Sequence, residues 1–512
     1  MTVVLLLVAY GVAAVAGCLR WLRVAQREHY HAGRVSTFAL RWWRSSPANL
    51  ALGAIAVVAG TAAVAAPGLT SLFAAYVVFA IVVAAPVGLG LRGRTSPLKW
   101  TRRMRVLAAA VAALTLSLAA LATRTGAAGW LAALALLSPV VIDAALALTG
   151  PLERRLNERF VRSARQVLDH VAPVVVGITG SYGKTTVKNY AAHVLRGSKK
   201  AVASRASFNN RLGLARSINE DLGMGTEVFL AEMGTYGPGE IRELCQWLRP
   251  KVGVITAIGP VHLERMGSLE NIVTAKAEIL ADAEIAVLNV DVDELRRLAD
   301  DLSRQGRKIV RCAAERADAD VVVRILSGEL EIRIGDRSER VAPPVIELAP
   351  VNVAVALGVA LALDALPPRL GEGLATLPPV QNRMTVLRRD DGWTVIDDTY
   401  NANPAGARRA LAALEGAANG GRAVVVTPGM VELGRRQSAE NRVFAERASH
   451  VATDVVVVGR TNRRDLVGAL AGARATNTVV VSTRDEAVAW TRAHLGPGDA
   501  VLFENDLPDH YP

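Results

Sequence analysis

VVVGITGSYGKTTVKNYAAHVL (residues 174–195) reads as a strand, a glycine-containing turn and a helix, and it decides the character of most of the chain. A loop that opens a helix offers unpaired backbone N–H groups and the positive end of the helix dipole to phosphate oxygens. Gly180 and Gly183, flanking Ser181, let the backbone approach the anion. Lys184 can neutralise β- and γ-phosphates, and Thr185 or Thr186 can give a hydroxyl to Mg2+. The long pattern GxxxxGK[ST] needs glycine at position 178, which is Ile178, so the match is to the compact form GxxGKTT. The loop implies use of a nucleoside triphosphate; kinases, GTPases and ligases all remain open.

Working outward, VGVITAIG, AVLNVD and AVVVTPG alternate with Ala/Leu/Arg-rich helical segments, the rhythm of parallel α/β sheets. Prolines in ATLPPVQNR (375–383) mark a seam. The reading is a central nucleotide-binding domain with a parallel sheet over 165–378 and a Rossmann-like α/β C-terminal domain over 379–512. An amphipathic linker helix over 151–164 precedes them.

Upstream the composition changes. Residues 1–150 hold 13 Lys/Arg against two acids, Glu28 and Asp143, so +11 of the chain's net +12 lies there. These are also the most apolar residues, a combination that points to membrane topology and away from nucleic acid. Apolar stretches at about 2–19, 49–66, 70–91, 104–123 and 127–148 are each long enough to cross a ~30 Å hydrocarbon core as helix. A helical bundle of five spans is therefore expected. Arg20, Arg23, Arg27, Arg34, Arg41 and Arg44 follow the first stretch; Arg92, Arg94, Lys99, Arg102, Arg103 and Arg105 follow the third. The intervening loops hold one base, Arg124. Both basic loops are then cytoplasmic, which puts the N-terminus outside and residue 151 onward inside. Asp143 is expected to snorkel to the headgroup level or to pair with a loop arginine. Cys18, Cys245 and Cys312 are scattered, suggesting neither a disulfide framework nor a thiolate metal site.

Beyond the phosphate loop, SFNNRLGLA (207–215), AEMGTYGPGEI (231–241), AIGPVHLERMGSLENIVTAKAEI (257–279) and VIDDTYNANPAG (395–406) follow in order. With ITGSYGKTT, this series resembles the Mur ligases, and most nearly their D-alanyl-D-alanine-adding branch, across about 165–512. The resemblance implies an ATP-dependent, ADP-forming ligase: ATP converts a carboxylate to an acyl phosphate, and an amine displaces phosphate. It implies ATP and Mg2+ as cofactors, with Thr185, Glu232 and His262 at metal positions. It also implies that Lys276 carries a CO2-derived carbamate, which would turn a cation into an anionic ligand. Asn352 falls in the adenine-contacting segment, although Val351 and Val355 stand where the family has histidine and asparagine. Arg383 matches the arginine that reaches the γ-phosphate across the seam. Asp398, Tyr400, Asn401 and Asn403 match the C-terminal share of the nucleotide site, and Asn209 and Asn210 a pair lining the cleft. For Asn401 and Asn403 a plain turn-forming role weighs equally.

Two departures bear on substrate. Five apolar stretches stand where the D-alanyl-D-alanine-adding enzymes keep a small soluble UDP-binding domain. The ending VLFENDLPDHYP also lacks the glycine- and base-rich segment expected there. The expected partners are an amino acid or dipeptide as amine, a carboxylate on a cell-envelope precursor as acceptor, and membrane lipids. The helices either present a lipid-linked acceptor or only localise the enzyme. An acidic-polymer ligase like the poly-γ-glutamate synthetases, and an inactive nucleotide-binding membrane regulator, are the alternatives.

Overall fold

The structure, a computed structural model, describes residues 2–91, 97–124, 128–206, 208–235, 237–261, 263–344, 348–368, 370–378, 385–399, 403–418, 420–472 and 476–507. The chain forms two compact units, Met1–Glu158 with Leu507–Pro512, and Arg159–Asp506.

The first unit is helical: α1 (Thr2–Arg27), α2 (Arg34–Trp43), α3 (Pro47–Ala65), α4 (Gly68–Ala84), α5 (Arg102–Arg124), α6 (Ala128–Leu136) and the start of α7 (Ser138–Val171). Among the described residues, α1, α3 and α5 are long and apolar enough to cross a membrane. The α6–α7 pair, bent by 68°, counts as a fourth if it forms one span. The third expected span is shorter than its apolar stretch. Its helix, α4, has 17 residues, roughly 25 Å at 1.5 Å per residue, and ends before Ala85-Pro86. Small residues such as Ala13, Ala63, Ala75 and Ala132 fill the interior, while Val4, Val12, Val58, Phe73, Leu116 and Leu121 face outward. That distribution suits helices packing closely within hydrocarbon. α7 continues through Pro151 without a break, so residues 151–164 prolong the last apolar helix.

Two charges in this unit differ from their sequence reading. Arg20, assigned above to a cytoplasmic loop, is only 3% exposed. Its guanidinium donates to the carbonyls of Val82 (2.7 Å), Ala85 (2.6 Å), Val83 (2.8 Å) and Leu89 (3.0 Å). Asn49 adds bonds to the N–H and carbonyl of Val87 at 2.7 and 3.1 Å. Backbone leaving a helix away from water needs such partners. Asp143 is buried, and its partners among the described residues are backbone N–H groups and a hydroxyl of α2. It accepts from the N–H groups of Val35 (3.2 Å) and Ser36 (2.8 Å). The N–H groups of Val35 and Ser36 lie in the first turn of α2, where a helix supplies no acceptor, and Gly33 has no side chain to cap them, so this carboxylate completes the helix start.

The second unit carries two sheets. The first contains β1 (Val174–Thr179), β2 (Ala201–Ala203), β3 (Val228–Glu232), β4 (Val252–Ile255), β5 (Ile285–Asn289), β6 (Lys308–Ala313), β7 (Val321–Leu326), β8 (Glu329–Ile334) and β9 (Arg337–Val341). Their order is β2-β3-β1-β4-β5-β6-β7-β8-β9, parallel through β7 and antiparallel beyond. Strands buried on both faces read as continuous Val/Ile runs, as β1 and β4 do. The second sheet contains β10 (Thr385–Arg388), β11 (Thr394–Asp398), β12 (Ala423–Thr427), β13 (Asp454–Val458), β14 (Asn477–Val481) and β15 (Ala500–Glu504). Its order is β10-β11-β15-β12-β13-β14, with only β10 antiparallel. Most of the expected seam, residues 379–384, lies outside the described residues.

Candidate active site

In open α/β sheets, ligands bind beyond the carboxyl ends of the strands. β1 lies between β3 and β4, with Ile178 opposite Glu232 and Thr179 opposite Ile255. The turn leaving β1 therefore emerges beside Glu232 and Thr256, and α8 (Lys184–Leu195) starts directly after it.

The two glycines of that turn have specific neighbours. A Cβ on Gly180 would lie 2.0 Å from Thr256 Oγ1. One on Gly183 would lie 2.8 Å from Asn352 Oδ1, and its φ of 84° favours glycine in any case. Ser181 is buried; its hydroxyl donates to the Gly259 carbonyl (3.2 Å) and accepts from the Gly259 N–H (3.0 Å). Its own N–H reaches Ala257 O at 2.8 Å. Tyr182 bonds Ile258 O at 3.1 Å. The loop is thus stitched to residues 256–259 along its length.

Lys184 folds back onto Gly180 O at 2.9 Å. Thr185 donates its hydroxyl to Glu232 Oε2 at 2.9 Å, which separates it from Thr186, a buried residue. Asn209 approaches Glu232 Oε1 at 3.4 Å. Lys188, which the sequence reading passed over, makes an ion pair with Glu232 Oε2 at 3.2 Å; both side chains are 1–2% exposed. Burial pushes the Lys188 ammonium below its usual range, and Glu232 opposes that shift. Lys276 is also buried, in the last turn of the helix Leu269–Ala277. Burial, and then the charge of Lys184, hold its amine well below the ordinary lysine range.

Other expected residues have local duties. Asn210 caps the helix Arg211–Asp221 through Gly213 N at 2.9 Å. Asn403 caps Pro404–Ala417 through Gly406 N at 2.9 Å. Both are helix-start asparagines. Asn352 lies in the first turn of Pro350–Ala362, against Gly183, while Val355 is in the core. His262, Arg383, Tyr400 and Asn401 lie outside the described residues.

Thr185 and Glu232 present only oxygen donors, the hard ligands that suit Mg2+, which keeps several waters and needs few side chains. Among the described residues no group of three or more His, Cys, Asp or Glu could hold a metal ion.

The second sheet faces the same region. Glu432 accepts from Glu264 N at 3.4 Å and pairs with Arg265 at 3.6 Å. Tyr182 feels the charges of Arg408 and Arg409, although burial dominates and raises its hydroxyl pKa. Asp398 and Glu504 end neighbouring strands in register. Glu504 is fully buried, takes the Thr427 hydroxyl on Oε2 at 2.7 Å and leaves Oε1 without a protein partner among the described residues. Burial raises its pKa to about 8; the Thr427 bond opposes the shift and the nearby charge of Asp398 adds to it. The sequence signal for Glu504 was only the departure noted in VLFENDLPDHYP.

Residues 178–334 match the Mur ligase middle domain, and residues 382–504 match the Mur ligase glutamate ligase domain. UDP-N-acetylmuramoyl-tripeptide--D-alanyl-D-alanine ligase of Mycobacterium leprae is 30% identical, over 64% of this chain and 70% of that protein. The enzyme of the same name from Bacillus subtilis is 25% identical, over 67% of this chain and 75% of that protein. The crystal structure of MurF ligase from Thermotoga maritima in complex with ADP superposes with a TM-score of 0.58 at 27% identity. It covers 68% of this chain and 80% of that one. With the phosphate loop, the Glu232 cluster and the two-sheet order in place, the chain belongs to the Mur ligase family.

Proposed function

We propose that this chain is an ATP-dependent, ADP-forming amide ligase that extends a cell-envelope precursor, held at the membrane by its helical unit. The observation that carries this reading is the meeting of Lys184, Thr185 and Glu232 at the carboxyl ends of β1 and β3, with the buried amine of Lys276 close enough to feel Lys184. The named activity of the Mycobacterium leprae and Bacillus subtilis relatives supports the substrate class. The amine is an amino acid or dipeptide, D-alanyl-D-alanine in the nearest version of the reading, and the acceptor is a peptide carboxylate.

A carboxylate is a poor electrophile. In the proposed sequence its oxygen attacks the γ-phosphorus of ATP, giving an acyl phosphate and ADP. The amine then attacks the acyl carbon, forming the amide and releasing phosphate. Gly180, Ser181 and Gly183 cradle the phosphates through backbone N–H groups. Lys184 balances the charge that moves with the γ-phosphoryl group, joined by Arg383. Thr185, Glu232, His262 and Lys276 as its carbamate would hold Mg2+, whose contribution when bound is charge neutralisation between the two anions. Asn352 is assigned to the adenine side and Asn209 and Asn210 to the cleft wall, while Asp398, Tyr400, Asn401 and Asn403 are assigned by motif to the share of the nucleotide site contributed from 379–512.

Membrane attachment is supported by α1, α3, α5 and the bent pair, by outward-facing apolar side chains, and by the basic segments between helices. With the 17-residue α4 taken as the fifth crossing, the topology inferred has the N-terminus outside and residues 159–506 in the cytoplasm, where ATP is available. In this arrangement the helical unit presents a lipid-linked acceptor. The test is ADP release by the purified full chain with peptide acceptor and D-alanyl-D-alanine. Release should require both substrates and fall about 100-fold or more in Lys184→Ala; turnover indifferent to Lys184 would refute the assignment.

A further inference from the structure

Lys184 and Lys188 are one turn apart in α8 and share a face, yet they go to different places. Lys184 curls onto the phosphate loop, whereas Lys188 points to the end of β3, where its ammonium sits 3.2 Å from Glu232 Oε2 and 2.6 Å from Ala206 O. It is among the largest fully buried side chains in the protein. A lysine so deeply enclosed is retained only where it is paired and hydrogen-bonded, and both conditions are met here.

The arrangement divides the two oxygens of Glu232. Oε2 takes the Lys188 ammonium and the Thr185 hydroxyl at 3.2 and 2.9 Å. Among the described residues, Oε1 has only the long approach of Asn209 Nδ2 at 3.4 Å. One oxygen is held from two sides while the other stays available, so the carboxylate can neither rotate freely nor offer both oxygens to one ion.

We propose that Lys188 is a positioning residue for Glu232: it anchors Oε2 so that Glu232 meets the divalent cation through Oε1 alone. This rests on the reading of Glu232 as a metal ligand. A fixed positive charge beside the ligand also keeps metal affinity below what Glu232 alone would give. Lys188 therefore trades tightness of binding for geometry. A purely structural ion pair predicts the opposite pattern, with metal binding and turnover falling together as the cluster loosens.

The test uses the full chain with Lys188→Met, and Lys188→Gln as the variant that keeps polarity and most of the length. Mn2+ binding in the presence of a non-hydrolysable ATP analogue is followed by electron paramagnetic resonance, and nucleotide binding without metal reports the fold. The expected result is Mn2+ affinity raised about tenfold or more, since a like charge has been removed, with kcat at saturating metal lowered about tenfold or more, since the ligand is loosened. Unchanged or weaker Mn2+ binding in a variant that still binds nucleotide overturns the proposal, as does an unchanged kcat. Glu232→Gln separates the two levels. If it leaves Mn2+ binding at the wild-type level, the assignment of Glu232 as ligand has failed, and Lys188 has no ligand to position.

Discussion

Replacing Glu504 by glutamine tests the physics of the second sheet's cleft-facing edge. Folding moves this carboxyl pKa from an ordinary 4.5 to about 8, and at roughly 1.4 kcal/mol per unit that displacement corresponds to about 5 kcal/mol. A raised folded pKa means that the native state holds a proton the unfolded chain has released. The associated stability is fully present below pH 4.5, declines as pH rises, and is gone once pH passes about 8. Glutamine keeps the acceptor for the Thr427 hydroxyl and cannot ionise. It brings an NH2 group to the position where Oε1 lacks a protein partner among the described residues, so near pH 5 the variant should be the less stable by about 1–3 kcal/mol. At pH 9 the order should reverse. Urea unfolding of the full chain in detergent, read by pulse proteolysis between pH 5 and 9, gives the difference directly. Infrared spectra at pH 7 should show a protonated carboxyl band that Glu504→Gln removes. Stability profiles that stay parallel across this range would refute the reasoning.

Three further outcomes are expected. Gly180→Ala should weaken nucleotide binding at least about tenfold, because the new Cβ meets Thr256 Oγ1 at 2.0 Å; calorimetry checks it, and Thr256→Ala should recover part of the loss. Lys276→Ala should lose ligation and regain part of it with short-chain carboxylic acids that enter the vacated space; full activity without added acid would remove the carbamate from the account. Cysteines placed in the short segment at 66–68 and near residue 505 should label from opposite sides of the membrane, and labelling of both from outside would contradict the topology.

The phosphate loop was legible because a strand, a glycine turn and Lys-Thr-Thr at a helix start form a local pattern with one physical meaning. The α/β rhythm gave the buried parallel strands of both sheets for the same reason: such strands must be apolar along their whole length. What depends on distant partners was not legible. Nothing near Lys188 in sequence announces Glu232, and nothing near Arg20 announces the carbonyls in the last turn of α4 and just beyond it. Asp143 was expected to snorkel or to pair with a loop arginine, and nothing near it in sequence announces the helix start, more than a hundred residues away, whose N–H groups it accepts. Asn210 and Asn403 stand in family motifs, but the structure shows each occupied with its own helix start, a role that a single sequence cannot separate from ligand contact. Apolar composition also overstated α4, because composition alone does not locate the residue at which backbone leaves the helix.

The most direct test of the central claim follows one oxygen atom. The full chain in lipid nanodiscs is given ATP, D-alanyl-D-alanine and a UDP-N-acetylmuramoyl-tripeptide whose acceptor carboxylate is labelled with 18O. If the carboxylate is activated as an acyl phosphate, each amide formed releases one phosphate carrying a single 18O, together with ADP. Amide formation with unlabelled phosphate, label found in AMP, or no amide from this acceptor in soluble or lipid-linked form would contradict the account.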